Sequence, residues 1–508
     1  MLFTTNKFSF FRFHLSSLLL NRLRLTALII AGLALCSSVS AANRDDKSRQ
    51  ASPPNILVLI ADDWGWPHAG VYGDKAVKTP TFDRLAREGV LFNNAFVATP
   101  SCTASRGALL TGQMPHRLGE GANLHSRLLA RFKTYPEILE KAGYCVGCTR
   151  KGWGPGRLDG TGRKRNPAGP QFKTFEQFLA TVPEGKPFCF WFGSIDPHRP
   201  YDKSTEANTG IKLADIKVPA FLPDTPNVRQ DVRDYYAEVQ RFDRESGELL
   251  ELLRREDKLE NTIVVMTGDN GIPFPRAKTN LYDGGTHEPL AICWPKRVQG
   301  GRVVDDFVSF TDFAPTFLDA AGLDVPTDMT GRSLLKILLS DKSGMVDTTR
   351  DEVFTERERH TLCNEGNRSY PVRAIRTRDF LYIRNLRPQL WPAGNPNVNR
   401  VVRPDPYGDI DDGISKREII TRRDDPEIAN YYKLACARRP AEELYDLRHD
   451  VDQQNNVADK PEYAATKTKL RKRLDRWMRE TGDPRAKGET DFWDKCPYHG
   501  RIMKKGRK

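Results

Sequence analysis

Three short, uninterrupted apolar runs, each ending abruptly in acidic or histidine residues, constrain this chain more than any other feature. They are Ile56-Leu57-Val58-Leu59-Ile60 before Asp62-Asp63, Phe188-Cys189-Phe190-Trp191-Phe192 before Asp196-Pro197-His198, and Ile263-Val264-Val265-Met266 before Asp269-Asn270. Runs of this length without polar alternation fit strands buried on both faces, the condition of a parallel sheet covered by helices. Helical patterns from Pro80 to Glu88 and from Tyr235 to Arg255 supply the cover, so the expected fold class is α/β with a largely parallel sheet. In such sheets ligands bind beyond the carboxyl ends of the strands. The three runs therefore deliver their polar residues to one edge, and one active site is expected there.

At 508 residues the chain exceeds what one core usually organises. Residues 43–345 are read as the catalytic α/β domain. Beyond them the pattern shifts to shorter mixed segments, such as Arg373-Ala374-Ile375-Arg376 and Phe380-Leu381-Tyr382-Ile383, with a closing helix near Glu462 to Thr481. Residues 346–508 are read as a smaller C-terminal α+β subdomain. Residues 1–42 differ from the rest: Lys7, Arg12, Arg22 and Arg24 precede an apolar stretch from Leu25 to Leu35 and a small-residue end, Val39-Ser40-Ala41-Ala42. This is the pattern of a cleaved secretory signal, and the apolar stretch falls short of the ~20 residues a membrane span needs. An exported protein without a stable membrane span is expected, in the periplasm or outside the cell, or in the lysosome of a eukaryote.

A net charge of +13 suits a polyanionic partner such as a sulfated polysaccharide. Nucleic acid is not the expected partner of an exported chain, and the basic tail Lys504-Lys505-Gly506-Arg507-Lys508 reads as a solvated end. Nine cysteines include Cys36 of the leader, and one or two disulfides beside free buried thiols are expected. Cys145 and Cys148 have no second C-x-x-C to complete a zinc site and read as ordinary interior cysteines.

Asp62, Asp63, Asp269 and Asn270 offer four hard oxygen ligands, three of them anionic, a set that suits calcium or magnesium better than zinc. Between them in sequence lies Pro100-Ser101-Cys102-Thr103-Ala104-Ser105-Arg106-Gly107-Ala108-Leu109-Leu110-Thr111-Gly112. It resembles the signature of the sulfatase family, in which the cysteine is oxidised to formylglycine; Ala104 stands where many members have proline. Asn55 to Asp63, Thr79 to Ala86, Asp196-Pro197-His198 and Thr267 to Gly271 are similar to further blocks of that family, in the family's order. Within it the likeness is greatest to the sulfamidases, or heparan N-sulfatases, through Asn270 to Pro275, Thr279 to Tyr282, Glu288-Pro289-Leu290 and Glu443 to Asp446.

The resemblance implies an alkaline-phosphatase-like fold and one calcium ion held by Asp62, Asp63, Asp269, Asn270 and the modified Cys102. It implies a formylglycine-generating maturation enzyme as a partner. Hydrated formylglycine is a geminal diol: one hydroxyl attacks sulfur, and the other later collapses to the carbonyl and expels sulfate. Arg106 then holds developing negative charge, Lys151 contacts the sulfate or the diol, His198 stands near the leaving group, and Lys278 binds sulfate and protonates the leaving atom. One position departs from the pattern. Trp153 stands two residues after Lys151, where many sulfatases carry a histidine; either another group such as His287 replaces it, or the pocket is reshaped for a different sugar. Glu358-Arg359-His360 reads either as a charged set capping the pocket, with Glu358 and His360 on the sugar, or as a solvated turn.

The leading expectation is hydrolysis of sulfate from a sulfated glycan, with heparan-type N-sulfoglucosamine first and another O-sulfated polysaccharide second. A phosphatase or phosphonate hydrolase of the same superfamily is disfavoured by the acidic, histidine-poor metal set. A secreted glycan-binding protein on a dead sulfatase fold is the alternative of another class. Trp153 favours it, and the intact set of Cys102, Arg106 and metal ligands opposes it.

Overall fold

The computed structural model describes residues 52–201 and 209–501. The expected leader at 1–42 with Cys36, and the basic tail at 504–508, lie outside the described residues. From Pro54 onward the chain forms one compact unit. Among the described residues, no helix is long and apolar enough to cross a membrane.

The first apolar run is β1 (Asn55–Ala61), the second β5 (Phe188–Gly193) and the third β6 (Thr262–Gly268). With β2 (Val90–Phe96), β3 (Cys145–Arg150), β4 (Gln171–Phe172), β7 (Leu290–Cys293) and β8 (Arg302–Ser309) they build an eight-stranded sheet in the order β4-β3-β5-β1-β6-β7-β2-β8. All pairings are parallel except those of β7, which runs antiparallel to both β6 and β2. The three runs thus lie side by side, and their carboxyl ends, with that of β3, open at one edge as expected.

Each run is apolar throughout because alternate residues serve two cores. Leu57, Leu59 and Ala61 pack with Phe82 and Leu85 of α1 (Pro80–Glu88), and with residues of the long helix downstream, Pro226–Arg255. Ile56, Val58 and Ile60 pack on the other face with Leu109 of α2 (Cys102–Thr111), Tyr135 and Leu139 of α3 (Tyr135–Lys141), and Phe317 near the sheet's end. Every one of these side chains is at most 3% exposed, and full burial of each valine, leucine, isoleucine or phenylalanine among them contributes about 1.5–3 kcal/mol before the entropy of ordering is subtracted. The helix Pro226–Arg255, α4, begins nine residues before the apolar periodicity that marks it in the sequence. Its polar first turns are held by Pro226 at the first position and by Thr225, whose hydroxyl accepts from the Val228 N–H.

A second sheet, β12-β11-β10-β9, is wholly antiparallel: β9 (Glu352–Arg357), β10 (Val372–Thr377), β11 (Phe380–Asn385) and β12 (Glu442–Asp446). The closing helix α5 (Ala464–Glu480) covers it, Leu470, Leu474 and Met478 packing on Ile375, Tyr382 and Leu444. The Glu356 N–H at the end of β9 donates to the Ala98 carbonyl at 2.9 Å, so the chain leaving β9 runs towards Cys102 and the large sheet's open edge.

The disulfide expectation is corrected: all eight cysteines among the described residues are free. Cys148, Cys189 and Cys293 sit in strands of the large sheet as small interior hydrophobes, each 2% exposed or less.

Candidate active site

The site grows from the ends of β1 and β6. The Asp62 N–H donates to the Asp196 carbonyl at 2.8 Å, and the Asp63 N–H to Asp269 Oδ1 at 3.0 Å. Asp63 holds φ 78°, a left-handed conformation that a non-glycine residue adopts only where its surroundings over-determine it. Helix α2 presses against this edge with its first turn. Ser105 Oγ donates to the Asp269 carbonyl at 2.5 Å, and Arg106 Nε to Asp269 Oδ2 at 2.6 Å. Arg106 Nη1 reaches the carbonyls of Lys151 (2.7 Å) and Gly152 (3.0 Å), tying the segment after β3 to the same point. Cys102 Sγ lies 3.7 Å from Asp62 Oδ1.

Two lysines complete the cluster. Lys151 Nζ stands 2.5 and 2.6 Å from the two oxygens of Asp62. Lys278 Nζ bridges Asp63 Oδ2 (2.7 Å) and Asp411 Oδ2 (2.9 Å). His198 Nε2 lies 3.9 Å from Asp63 Oδ2 while its Nδ1 is bonded to the Arg199 carbonyl at 2.6 Å. Burial opposes charge throughout, and the local partners decide which group keeps it. Lys151, His198 and Arg106 overcome burial at Asp62 and hold it below the usual carboxylate range. At Asp63 burial prevails over Lys278 and raises it to about 6. Asp411 and Asp63 outweigh burial at Lys278 and keep it charged.

Asp62, Asp63, Cys102 and Asp269 bring ligand atoms within 4.8 Å of one another. Asn270 Oδ1 is buried with no hydrogen-bond partner, although its Nδ2 donates to Asp63 Oδ1 at 2.6 Å. A buried, unfilled oxygen beside three carboxylates is what a hard divalent cation completes. The residues present fit such an ion.

A cavity of about 900 Å³ opens over this cluster. Asp62, Cys102, Lys151, His198 and Lys278 line it, all expected from the sequence, and so does His360, whose Nδ1 meets Ser101 Oγ at 2.9 Å. Burial lowers the His360 imidazole to about 3, so it is neutral. Trp153 lines the wall beside Lys151, its buried indole N–H without a partner.

Two expected residues are not brought to this cavity. Glu358 is buried elsewhere, accepting from Arg373 Nη2 at 2.8 Å and from Arg485 Nε and Nη2 at 2.8 and 2.7 Å. His287 is stacked between the rings of Trp66 and Phe96, each 4.5 Å away, with Nε2 on the Asn93 carbonyl at 2.8 Å. A third histidine on the cavity wall, besides His198 and His360, is His125, in the left-handed region at φ 51°. Asp411 and Arg403 also line the cavity. No apolar run or motif marks these three residues; they come from loops that only the closed fold brings near Cys102.

The chain is similar to known proteins over most of its length. The family model described as sulfatase matches residues 54–155 and 170–323, and that described as N-sulphoglucosamine sulphohydrolase, C-terminal, matches residues 276–390. The N-sulphoglucosamine sulphohydrolase of Homo sapiens is 30% identical over 495 residues, covering 86% of this chain and 92% of that protein. An ulvan-active sulfatase of Formosa agariphila is 29% identical over 461 residues, covering 86% of this chain and 82% of the relative. A solved structure, in complex with its substrate D-glucosamine-2-N,6-O-disulfate, superposes with a TM-score of 0.60 at 20% identity over 86% of this chain and all (100%) of that one, which shows a shared fold.

Proposed function

We propose that this chain, which belongs to the sulfatase family, removes the N-sulfate of a glucosamine at the end of a heparan-type glycan. Membership makes it a hydrolase of sulfuric esters or sulfamates. The observation that carries the narrower reading is the C-terminal match at residues 276–390, because that stretch contains Lys278 and His360 of the cavity wall. An O-sulfated polysaccharide is the second reading, favoured by the nearly equal identity of the ulvan-active relative.

In this reading Cys102 acts as formylglycine, installed by a maturation enzyme. Burial pushes the unmodified thiol well above its usual range, so the thiolate that could attack sulfur is suppressed, whereas an aldehyde hydrate needs no thiolate. One hydroxyl of the hydrate attacks sulfur, the S–N or S–O bond breaks, and the glycan leaves with a proton. The second hydroxyl then loses its proton, the carbonyl re-forms, and the C–O bond to sulfate breaks. Asp62, Asp63, Asp269 and Asn270 would hold the divalent ion, calcium by its oxygen set, which supplies positive charge for the sulfate oxygens. Arg106 and Lys151 fix the cluster, Lys278 contacts the anion and protonates the leaving atom, and His198, partly open to the cavity, stands near the leaving group. The leader at 1–42 exports the enzyme to its glycan.

The test is sulfate release by protein purified from a host with an active maturation system. Glucosamine 2-N-sulfate is expected to be cleaved at least tenfold more efficiently than N-acetylglucosamine 6-O-sulfate. The reverse order would establish the O-sulfatase reading. Tight glycan binding with no release from either, or from 4-nitrophenyl sulfate, would establish the binding protein.

A further inference from the structure

Four arginines line the cavity, and three are already matched by carboxylates. Arg199 clasps Asp231 at 2.7 and 2.8 Å, Arg150 lies 2.5 and 3.0 Å from Glu245, and Arg241 Nε lies 2.6 Å from Asp196 Oδ2. Arg403 differs. Its nearest carboxylate, Asp405, is 3.7 Å from Nε, and that same oxygen is taken by Lys416 Nζ at 2.9 Å. Arg403 Nε is buried with no hydrogen-bond partner, while its side chain as a whole stays 30% exposed.

The position is built rather than incidental. The Arg403 N–H donates to the Leu362 carbonyl at 3.1 Å, which ties the residue to the strand extension carrying His360 and Thr361, both on the cavity wall. The backbone of Gly408 packs against the stem, where an added Cβ would stand 2.9 Å from Cδ. His125, also on the cavity wall, lies in the field of both Lys151 and Arg403. A guanidinium on the wall of a substrate cavity with no hydrogen-bonded carboxylate partner is suited to an anion, which arginine's fork geometry can meet with two N–H groups.

We propose that Arg403 binds a second anionic group of the substrate, a sulfate or a carboxylate on the sugar being cleaved or on its neighbour, and so selects multiply charged glycan ends. The assignment rests on the N-sulfoglucosamine reading above. It makes Arg403 a specificity residue, separate from the groups that reach sulfur.

The test compares wild type, Arg403→Gln and Arg403→Lys on three substrates: glucosamine 2-N-sulfate, glucosamine 2-N,6-O-disulfate, and a disaccharide whose terminal N-sulfoglucosamine is linked to a uronate. Arg403→Gln is expected to lower kcat/KM at least tenfold more for one doubly charged substrate than for the monosulfate, chiefly through KM. Arg403→Lys should recover part of that difference. Loss on the disulfate identifies a sulfate ligand, and loss on the disaccharide a carboxylate. Equal loss on all three substrates, or none on any, overturns the assignment while leaving the N-sulfoglucosamine reading intact. Failure of the wild type to cleave any of the three sinks that reading, and this assignment with it.

Discussion

Two of the buried charge clusters among the described residues differ in closure rather than in composition. At the edge of the large sheet, Asp62, Asp63 and Asp269 meet Lys151, Lys278 and Arg106. Beside the small sheet, Arg373 lies 3.5 Å from Glu356, 2.8 Å from Glu358 and 2.6 Å from Asp483. Arg485 shares Glu358, and His116 Nδ1 sits 2.6 Å from Glu356 Oε2. His116, Glu356 and Asp483 also come close enough to hold a cation. Yet guanidinium groups already fill that space, and Glu358 has both oxygens bonded. The first cluster opens into a cavity and leaves the Asn270 oxygen unfilled. Buried charge is costly unless paired, so an unfilled acceptor retained under a cavity marks binding, and a saturated network marks architecture.

The comparison breaks or sharpens under substitution. Cys102→Ala removes the nucleophile without orphaning a charge. Sulfate release should fall by about 10⁴-fold or more with the urea midpoint little changed, and appreciable residual turnover would place the chemistry elsewhere. Arg373→Met leaves Glu356, Glu358 and Asp483 short of a partner in the closed cluster. Chemical denaturation should show a loss of about 3–5 kcal/mol while the folded fraction keeps its kcat. A drop in kcat without loss of stability would make that cluster functional.

Chelation of divalent ions should abolish turnover and lower the unfolding temperature by the equivalent of about 2.7 kcal/mol if the ion had been present at 100 times its Kd. The same shift is expected in Arg373→Met, since its cluster holds no ion. His116→Gln should have the smallest effect, about 1.5–3 kcal/mol, the range of a hydrogen bond to a charged group. Burial opposes the His116 charge, but Glu356 prevails and raises its pKa. A raised folded-state pKa gives stabilisation that is fully present below about pH 6.5 and is lost as pH rises through the folded value. Urea titrations across pH should show that alkaline loss in the wild type and a flatter profile in His116→Gln.

What could be read from the sequence follows the same division. Strand ends were legible because a doubly buried strand needs an unbroken apolar run, and in a parallel sheet neighbouring runs finish at one edge. The strand pattern alone therefore brings Asp62, Asp63, Asp269 and Asn270 together. Glu358 and His360 stand two apart in one charged triplet and would share a face of a regular strand, but β9 ends at Arg357 and the segment beyond it is irregular. His360 faces the cavity, and Glu358 turns into the Arg373 network. His287 stands just before β7 in sequence, yet two aromatic rings claim its imidazole. Asp411, His125 and Arg403 carried no local signal, because their placement depends on long loops closing over the strand edge.

The most direct test of the central claim is the mass of the tryptic peptide of residues 88–106, which spans Cys102, from protein purified from its native host. A loss of about 18 mass units relative to the cysteine form, the conversion of thiol to aldehyde, is the predicted result and would establish the nucleophile. Unmodified cysteine throughout an actively sulfate-releasing preparation would contradict it.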